Sequence, residues 1–343
     1  MEIPMHHSSG IRIAERVRAP IDVSTPSPRH QLLWRPLRPT DEAQVVALLN
    51  SQENASELAV DQQIPTLVAL KYIPPGPEFA ALGGFDRAGV MRAAGFLLLW
   101  PGTTALVAHG LVDPAWSGRG IGGSLMAWQE GRGRQILASL PGDGTARMLA
   151  YVTESAANRR RLLMAAGFSP LRSIYRMRRD LEAPIPRSDL PAGLRWRSLE
   201  GIDPEAVRQA HNVATADAWS PGEVFPELWQ RRWEEYRPEL SCVVWDEAAG
   251  RVAGYALALI ERTSSKMAPR SQASVHRFAV TPDYRHSGVG RALLGRTLAQ
   301  FAEHGRRFAI ATVDPAIPHS GLAMFADFGF TPAGRTIVYA LDL

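Results

Sequence analysis

Two short stretches of this chain carry residues suited to holding an anion: "VDPAWSGRGIGGSL" at 112–125 and "VTPDYRHSGVGRALL" at 280–294. In each, an apolar strand-like run reaches a Val-x-Pro turn, and a short glycine-rich, basic loop then opens directly into an apolar helix start. The first turn of a helix has backbone N–H groups with no partner inside the helix, and its positive dipole end lies at the same place. A loop of this build therefore gathers donors around a phosphate. Glycine suits it because a side chain would hold the anion off the backbone, and because some loop dihedrals call for positive φ.

Three phosphate motifs must be told apart. A nucleoside triphosphate loop needs Gly-Lys-Ser/Thr, and neither stretch has a lysine there. A dinucleotide fingerprint Gly-x-Gly-x-x-Gly fits Gly118, Gly120 and Gly123, but it needs an acidic residue ending a strand about 20 residues later. Asp143 sits instead in the turn "PGDGT", and the second stretch has Leu293 where the third glycine belongs. What the two stretches share is Gly-x-Gly after Val-x-Pro, and the second adds Arg285 three residues before Gly288.

The loops belong to an internal repeat. "WRPL" (34–37) matches "WRSL" (196–199), and "AAGF" ending at Phe168 matches "DFGF" ending at Phe330, both at an offset of 162; the loops are offset by 168. The second copy thus has about six more residues before its loop, within "ERTSSKMAPRSQ", and about six fewer after it. Each copy reads as strand, helix, polar stretch, two or three strands, glycine loop, helix, strand, helix and final strand, an α/β pattern with a mixed sheet. The predicted organisation is a loose N-terminal arm (1–30), a first domain (31–180), a Pro-rich linker (181–193) and a second domain (194–343).

These features resemble the GNAT superfamily of N-acetyltransferases, whose signature Arg/Gln-x-x-Gly-x-Gly/Ala wraps the pyrophosphate of coenzyme A between the fourth strand and third helix. "YRHSGVGRALL" fits it fully, whereas "WSGRGIGGSL" keeps the glycines but has Ser117 in place of the arginine. The "GF" after an apolar helix is a second family feature, present in both copies. The doubling is similar to the mycothiol synthase group, actinobacterial enzymes that acetylate the cysteinyl amine of a pseudodisaccharide thiol precursor; the ends "YRMRRDL" and "IVYALDL" resemble that group's domain ends. The resemblance implies two tandem GNAT folds, each a mixed, mostly antiparallel sheet flanked by helices. It also implies acetyl-coenzyme A as donor, a small-molecule amine as acceptor, and direct attack through a tetrahedral intermediate.

By the same resemblance, the pantetheine of coenzyme A would pair with Phe278, Ala279 and Val280, and Arg285, His286, Ser287, Gly288, Val289, Gly290 and Arg291 would hold its pyrophosphate. The matching cleft of the first copy falls on Leu111, Val112, Gly118, Arg119, Gly120, Ile121, Gly122 and Gly123. The chain departs from the family at its acid–base groups. Six residues before the motif proline, where many members have an acidic base, stands His276; eight before, where mycothiol synthases have glutamate, stands Ser274. The family's tyrosine before "GF" is Phe325 here and Leu163 in the first copy, and its asparagine is Pro318. His276 is the candidate base, since a neutral imidazole accepts a proton near pH 7; Tyr284 and His319 are the other candidate catalytic residues. The first copy has Ala108 in the place of His276, so it is expected to be degenerate or structural and the second copy catalytic.

The stretch "DAWSPGEVFPELWQRRWEEY" lies where the family covers its acceptor. Asp217, Trp219 and Glu223 are candidate acceptor contacts, and the helical spacing of Trp229 and Trp233 predicts a core face. Two other functions fit the departures: an acyl-coenzyme A binding regulator without turnover, and an acetyltransferase of protein amines.

Composition narrows the rest. With 343 residues, 45% hydrophobic, the chain has length for two cores. Its 38 basic and 34 acidic residues form no long like-charge run, which argues against a nucleic-acid stripe. The single cysteine, Cys242, excludes an internal disulfide and a cysteine-ligated zinc, and no metal is expected. The opening residues lack a signal-peptide core and no run reaches a membrane span's length, so the expectation is a cytoplasmic protein with no membrane partner, a monomer (an internal pseudo-dimer) or a homodimer.

Overall fold

The computed structural model describes residues 12–27, 31–52, 79–99, 103–216, 224, 226–260, 272–316 and 321–343. These form two compact units: the described residues up to Arg172 together with Thr336–Leu343, and Ser173–Arg335.

The first unit contains α1 (Ile13–Val17), β1 (Leu33–Pro36), α2 (Glu42–Asn50), β2 (Phe79–Phe85), β3 (Met91–Leu99), β4 (Ala105–Val112), α3 (Ile121–Ala138), β5 (Arg147–Thr153) and α4 (Ala157–Ala165). Its sheet runs β1-β2-β3-β4-β5 and is closed by the end of β12 (Thr331–Asp342) against β5; only the β4–β5 pair is parallel. The second unit opens on the end of β6 (Ser169–Asp180) and continues through β7 (Leu194–Arg197), α5 (Pro204–Thr215), α6 (Pro226–Trp233), β8 (Cys242–Asp246), β9 (Arg251–Ile260), β10 (Gln272–Val280), α7 (Val289–Glu303), β11 (Phe308–Val313) and α8 (Leu322–Asp327). Its strand order is β7-β8-β9-β10-β11-β6, again with one parallel pair, β10–β11. Each sheet is therefore mixed and mostly antiparallel, as the repeat predicts.

Helices cover both faces of the second unit's sheet. Leu294, Leu298 and Phe301 of α7 and Phe325 of α8 pack on one side; Val207 of α5 and Trp229 of α6 pack with Tyr255 and Leu257 on the other. This explains the unbroken apolar run of β9, "VAGYALAL", which has no polar face to offer. Asp203 starts α5, its carboxylate accepting the Glu205 N–H at 3.0 Å just ahead of Pro204. Val207, Ala210, His211 and Ala214 then recur on the buried side.

Three expectations are corrected. The domain bounds 31–180 and 194–343 do not hold, because the final strands are exchanged: Tyr175 to Asp180 of β6 pair with β11, and Thr336 to Asp342 of β12 pair with β5. Both strands follow a "GF" turn, so the repeat by itself does not tell which sheet edge each one joins. Residues 181–193 are not an open linker, since Leu181 is buried among the second unit's core residues and Arg179 donates to the Pro184 carbonyl at 2.7 Å. Nor are residues 12–27 loose. Ile13 and Val17 are fully buried beside Leu106 and Met148, Arg134 of α3 donates to the Val17 carbonyl at 2.6 Å, and Gln135 reaches the carbonyls of Pro20 and Ile21. Gly131 permits this contact: a Cβ there would lie 3.1 Å from Val23.

Candidate active site

In both units the parallel pair parts halfway. β10 follows β11 only from Gln272 to Val275, while its pairing with β9 continues to Val280. β4 follows β5 only from Ala105 to Val107, while its pairing with β3 runs on to Val112. Beyond the fork one edge of the longer strand has no strand partner among the described residues, so its peptide groups are available to an extended ligand. Phe278, Ala279 and Val280 lie on that edge.

The glycine loops stand at the mouth of each fork and share one geometry. Gly118 and Gly120 have φ of 77° and 79°; the matching His286 and Gly288 have 61° and 95°. Two left-handed residues separated by one other turn successive amides to the same side, an anion-binding nest. The first backbone N–H that α7 satisfies is that of Ala292, to the Gly288 carbonyl at 3.0 Å, so the amides of Val289, Gly290 and Arg291 project from the helix start. The second glycine of each motif serves a different purpose. A Cβ on Gly290 would lie 3.4 Å from Met324 Sδ, and one on Gly122 would lie 3.2 Å from Leu162, so these positions set how closely the last helix of each unit approaches.

The two strands differ in one respect. β10 is bulged between Val275 and Arg277, whereas β4 keeps an unbroken register against β3. An extra residue breaks the alternation, so consecutive side chains emerge on one face. His276 meets Arg232 and Tyr236, and Arg277 meets His211 and the Trp229 ring, all from the side covered by α5 and α6. Arg232 Nη2 lies 3.2 Å from His276 Nε2, and Tyr236 Oη 3.0 Å from His276 Nδ1. Arg277 Nη1 lies 2.7 Å from His211 Nε2, and Tyr255 Oη 2.5 Å from His211 Nδ1. The result is two parallel Arg–His–Tyr chains. Burial, then Arg277 and His276, hold His211 well below the usual imidazole pKa, and burial raises that of Tyr255.

Several sequence expectations change here. His276 does not present a lone pair for proton abstraction, because Arg232 occupies Nε2. Arg285 sends its guanidinium to the Ala214 carbonyl at the end of α5 (2.8 Å) and to the Val280 carbonyl (3.4 Å), not into the nest. Its own amide bonds the Pro282 carbonyl. Tyr284 donates its hydroxyl to Asp246 at 2.6 Å, at the β8–β9 turn, and so is no thiolate donor. Trp229 is 2% exposed and belongs to the core, as its spacing predicts. Asp217, Trp219, Glu223, Pro318 and His319 lie outside the described residues. Phe325 is buried edge-on to Phe278, 5.7 Å between ring centres, and has no proton to give.

A profile of the Acetyltransferase (GNAT) family matches residues 206–330. The chain is 31% identical over 309 residues to a mycothiol acetyltransferase of Thermobispora bispora, covering 88% of this chain and 96% of that protein. The chain belongs to the GNAT acetyltransferase family. A mycothiol acetyltransferase of Thermobifida fusca is 25% identical over 306 residues, covering 83% of this chain and 90% of that one. Among solved structures, a GCN5-related N-acetyltransferase from Sphaerobacter thermophilus superimposes with a TM-score of 0.66 at 21% identity, over 93% of this chain and 97% of that chain. A tandem GNAT protein of the clavulanic acid pathway does so at 0.61 and 19%, over 91% and 98%. Both share the tandem fold. This member is thus an acetyl-coenzyme A dependent N-acetyltransferase of small-molecule amines.

Within that family fold, the forked strand and amide nest fit the substrate's pantetheine and pyrophosphate. Sequence reasoning did not find Arg232, Tyr236, His211, Tyr255 or Arg277. Strict alternation along β10 puts Arg277 on the opposite face from His276, and only the bulge reverses that.

Among the described residues no helix is long and apolar enough to cross a membrane, and no group of three or more His, Cys, Asp and Glu is placed to hold a metal.

Proposed function

We propose that the Ser173–Arg335 unit performs the transfer, to the primary amine of a small molecule, on the bulged face of β10. The bulge carries this reading, because it sets two polar side chains at the fork where a thioester paired with Phe278, Ala279 and Val280 would end. Attack of the neutral amine on the thioester carbonyl forms a C–N bond, and collapse of the tetrahedral intermediate breaks the C–S bond. One proton must pass from nitrogen to sulfur. With Phe325 in the family's tyrosine position, the proton donor on this face is Tyr236, whose hydroxyl meets the bulged His276, while that of Tyr255 is taken up by His211. The Nδ1–H of His276 bonds the Tyr236 oxygen and leaves that hydroxyl its own proton for donation. The nest of 286–291 would hold the pyrophosphate through backbone amides, and the loop 118–123 of the first unit would do the same for a second coenzyme A.

The relatives' name makes a mycothiol precursor the first acceptor to assay. Release of free thiol from acetyl-coenzyme A across a panel of amines tests the reading. Amine-dependent release supports it. Binding of acetyl-coenzyme A with no release for any amine points to a regulator, and release with peptide amines alone points to a protein acetyltransferase.

A further inference from the structure

The forked strands of the first unit enclose a cleft of about 390 Å³, whose lining includes Gly110, Ser117, Gly122, Gln129, Arg159 and Leu162. That volume falls in the range of small-molecule sites. Arg159 reaches into the cleft from the first turn of α4 and donates to the Gly110 carbonyl at 3.0 Å, across the free part of β4. Among the described residues no carboxylate meets this guanidinium, and burial lowers its pKa. Even a half-buried charge is ordinarily held beside an opposite one. Its place on the helix adds to the cost. The first turn of a helix favours acidic residues, yet α4 has none there and runs Arg159, Arg160, Arg161 instead. His109 supplies no compensation, since burial, then Arg159, holds its pKa down at about 3 and keeps the ring neutral. Gln129 is turned to the carbonyls of Phe96 and His109.

Two anion receptors thus border the cleft: the loop that lines it with Ser117 and Gly122 and carries the left-handed Gly118 and Gly120, and the Arg159 guanidinium. We infer that the N-terminal cleft binds an acyl-coenzyme A whose acyl group ends in a carboxylate, with its pyrophosphate on the 118–123 loop and the carboxylate on Arg159. The inference rests on reading that loop as a coenzyme A site. An acetyl group offers Arg159 nothing, and the guanidinium then stays across the strand edge that a pantetheine amide needs. A carboxylate presents two acceptor oxygens to the guanidinium fork, draws it off Gly110 and clears the edge. β4 lacks the bulge and has Ala108 where β10 has His276, so this site retains its ligand without transferring the acyl group.

Calorimetric titration of the full chain tests this, using succinyl-coenzyme A, acetyl-coenzyme A and free succinate. The expected result is two sites per chain for succinyl-coenzyme A, one for acetyl-coenzyme A and none for succinate. Arg159→Met is expected to weaken the additional site by about tenfold to a hundredfold while leaving the acetyl-coenzyme A isotherm unchanged. Arg159→Gln, closer in polarity, repeats the test if the methionine variant loses its native melting temperature. Equal isotherms for the two thioesters, binding of succinate alone, or an additional site indifferent to Arg159 would each overturn the carboxylate inference and leave the loop reading standing. One site for every thioester, unchanged by Gly120→Glu, would overturn the loop reading as well.

Discussion

Arg232 Nη2 lies 3.2 Å from Nε2 of His276. A guanidinium can only donate, so Nε2 must accept, and the neutral ring carries its proton on Nδ1, where Tyr236 Oη receives it at 3.0 Å. The arginine therefore fixes the tautomer, and the tautomer fixes the direction in which the tyrosine can give its proton. If these groups act as one unit, removing either end removes the same catalytic contribution. Tyr236→Phe and His276→Ala are each expected to lower kcat about a hundredfold, with KM for acetyl-coenzyme A nearly unchanged. The double variant should be little worse than either single one. Fully additive losses, measured by thiol release, would show that the two do not work together.

Arg232→Met should release Nε2. The tautomer is then no longer fixed, so kcat is expected to fall about tenfold with KM for acetyl-coenzyme A nearly unchanged, and Arg232→Lys, which also only donates, should recover part of the loss. A merely structural role for Arg232 would lower the melting temperature or raise KM, without rescue by lysine. Steady-state kinetics and melting of the two variants distinguish these.

Gly288 has φ of 95° and opens α7. An L side chain there is strained, so Gly288→Ala is expected to cost about 1–2 kcal/mol of stability, seen as a lower urea midpoint. Gly288→Glu adds a carboxylate at the anion site. That variant should lose the rise in melting temperature that acetyl-coenzyme A gives the parent. An unchanged rise would mean that the nest does not hold the pyrophosphate.

Much of this was legible in the sequence, and for a physical reason: the anion loop depends on backbone conformation, which glycine and proline spacing announces. The sheet order within each unit follows from apolar periodicity in the same way. Side-chain destinations do not. Arg285 satisfies a family pattern yet ends at the Ala214 carbonyl, because the C-terminus of α5 lies within its reach. His276 and Arg277 share a face only because of a bulge that no residue type signals. The exchange of β6 and β12 is silent for the opposite reason, since a repeat by itself does not tell which of two sheet edges each final strand joins.

His109 and His211 both have folded-state pKa values below the ordinary imidazole value of about 6.5, His109 at about 3, each chiefly through burial. The unfolded chain takes up protons at these sites below pH 6.5 while the folded chain does not. Unfolding free energy must then fall as pH drops from about 6.5 towards 5, above the range where depressed carboxylates matter. The melting temperature should decline between pH 7 and 5, and less steeply in His109→Gln. A flat profile over that interval would contradict the neutral assignment of both rings.

The exchanged strand offers the sharpest test of how the units are built. Residues 336–342 of β12 pair with β5 in seven registered positions, from Thr336 opposite Thr153 to Asp342 opposite Arg147. They bury Ile337, Val338 and Tyr339, and beyond them Leu343 takes the Arg16 Nε–H on its carbonyl and gives its own N–H to Ala146. Three apolar side chains at about 1.5–3 kcal/mol each, before any ladder bond is counted, approach the whole stability of a domain. A chain ending at Arg335 should therefore unfold its N-terminal unit while the other unit keeps its complete sheet. Hydrogen exchange is expected to show β5 (Arg147–Thr153) and β3 losing protection and β8 and β9 (Cys242–Ile260) retaining it. Were the sequence copies themselves the folding units, the same truncation would strip a strand from the C-terminal copy, and the protection pattern would be reversed.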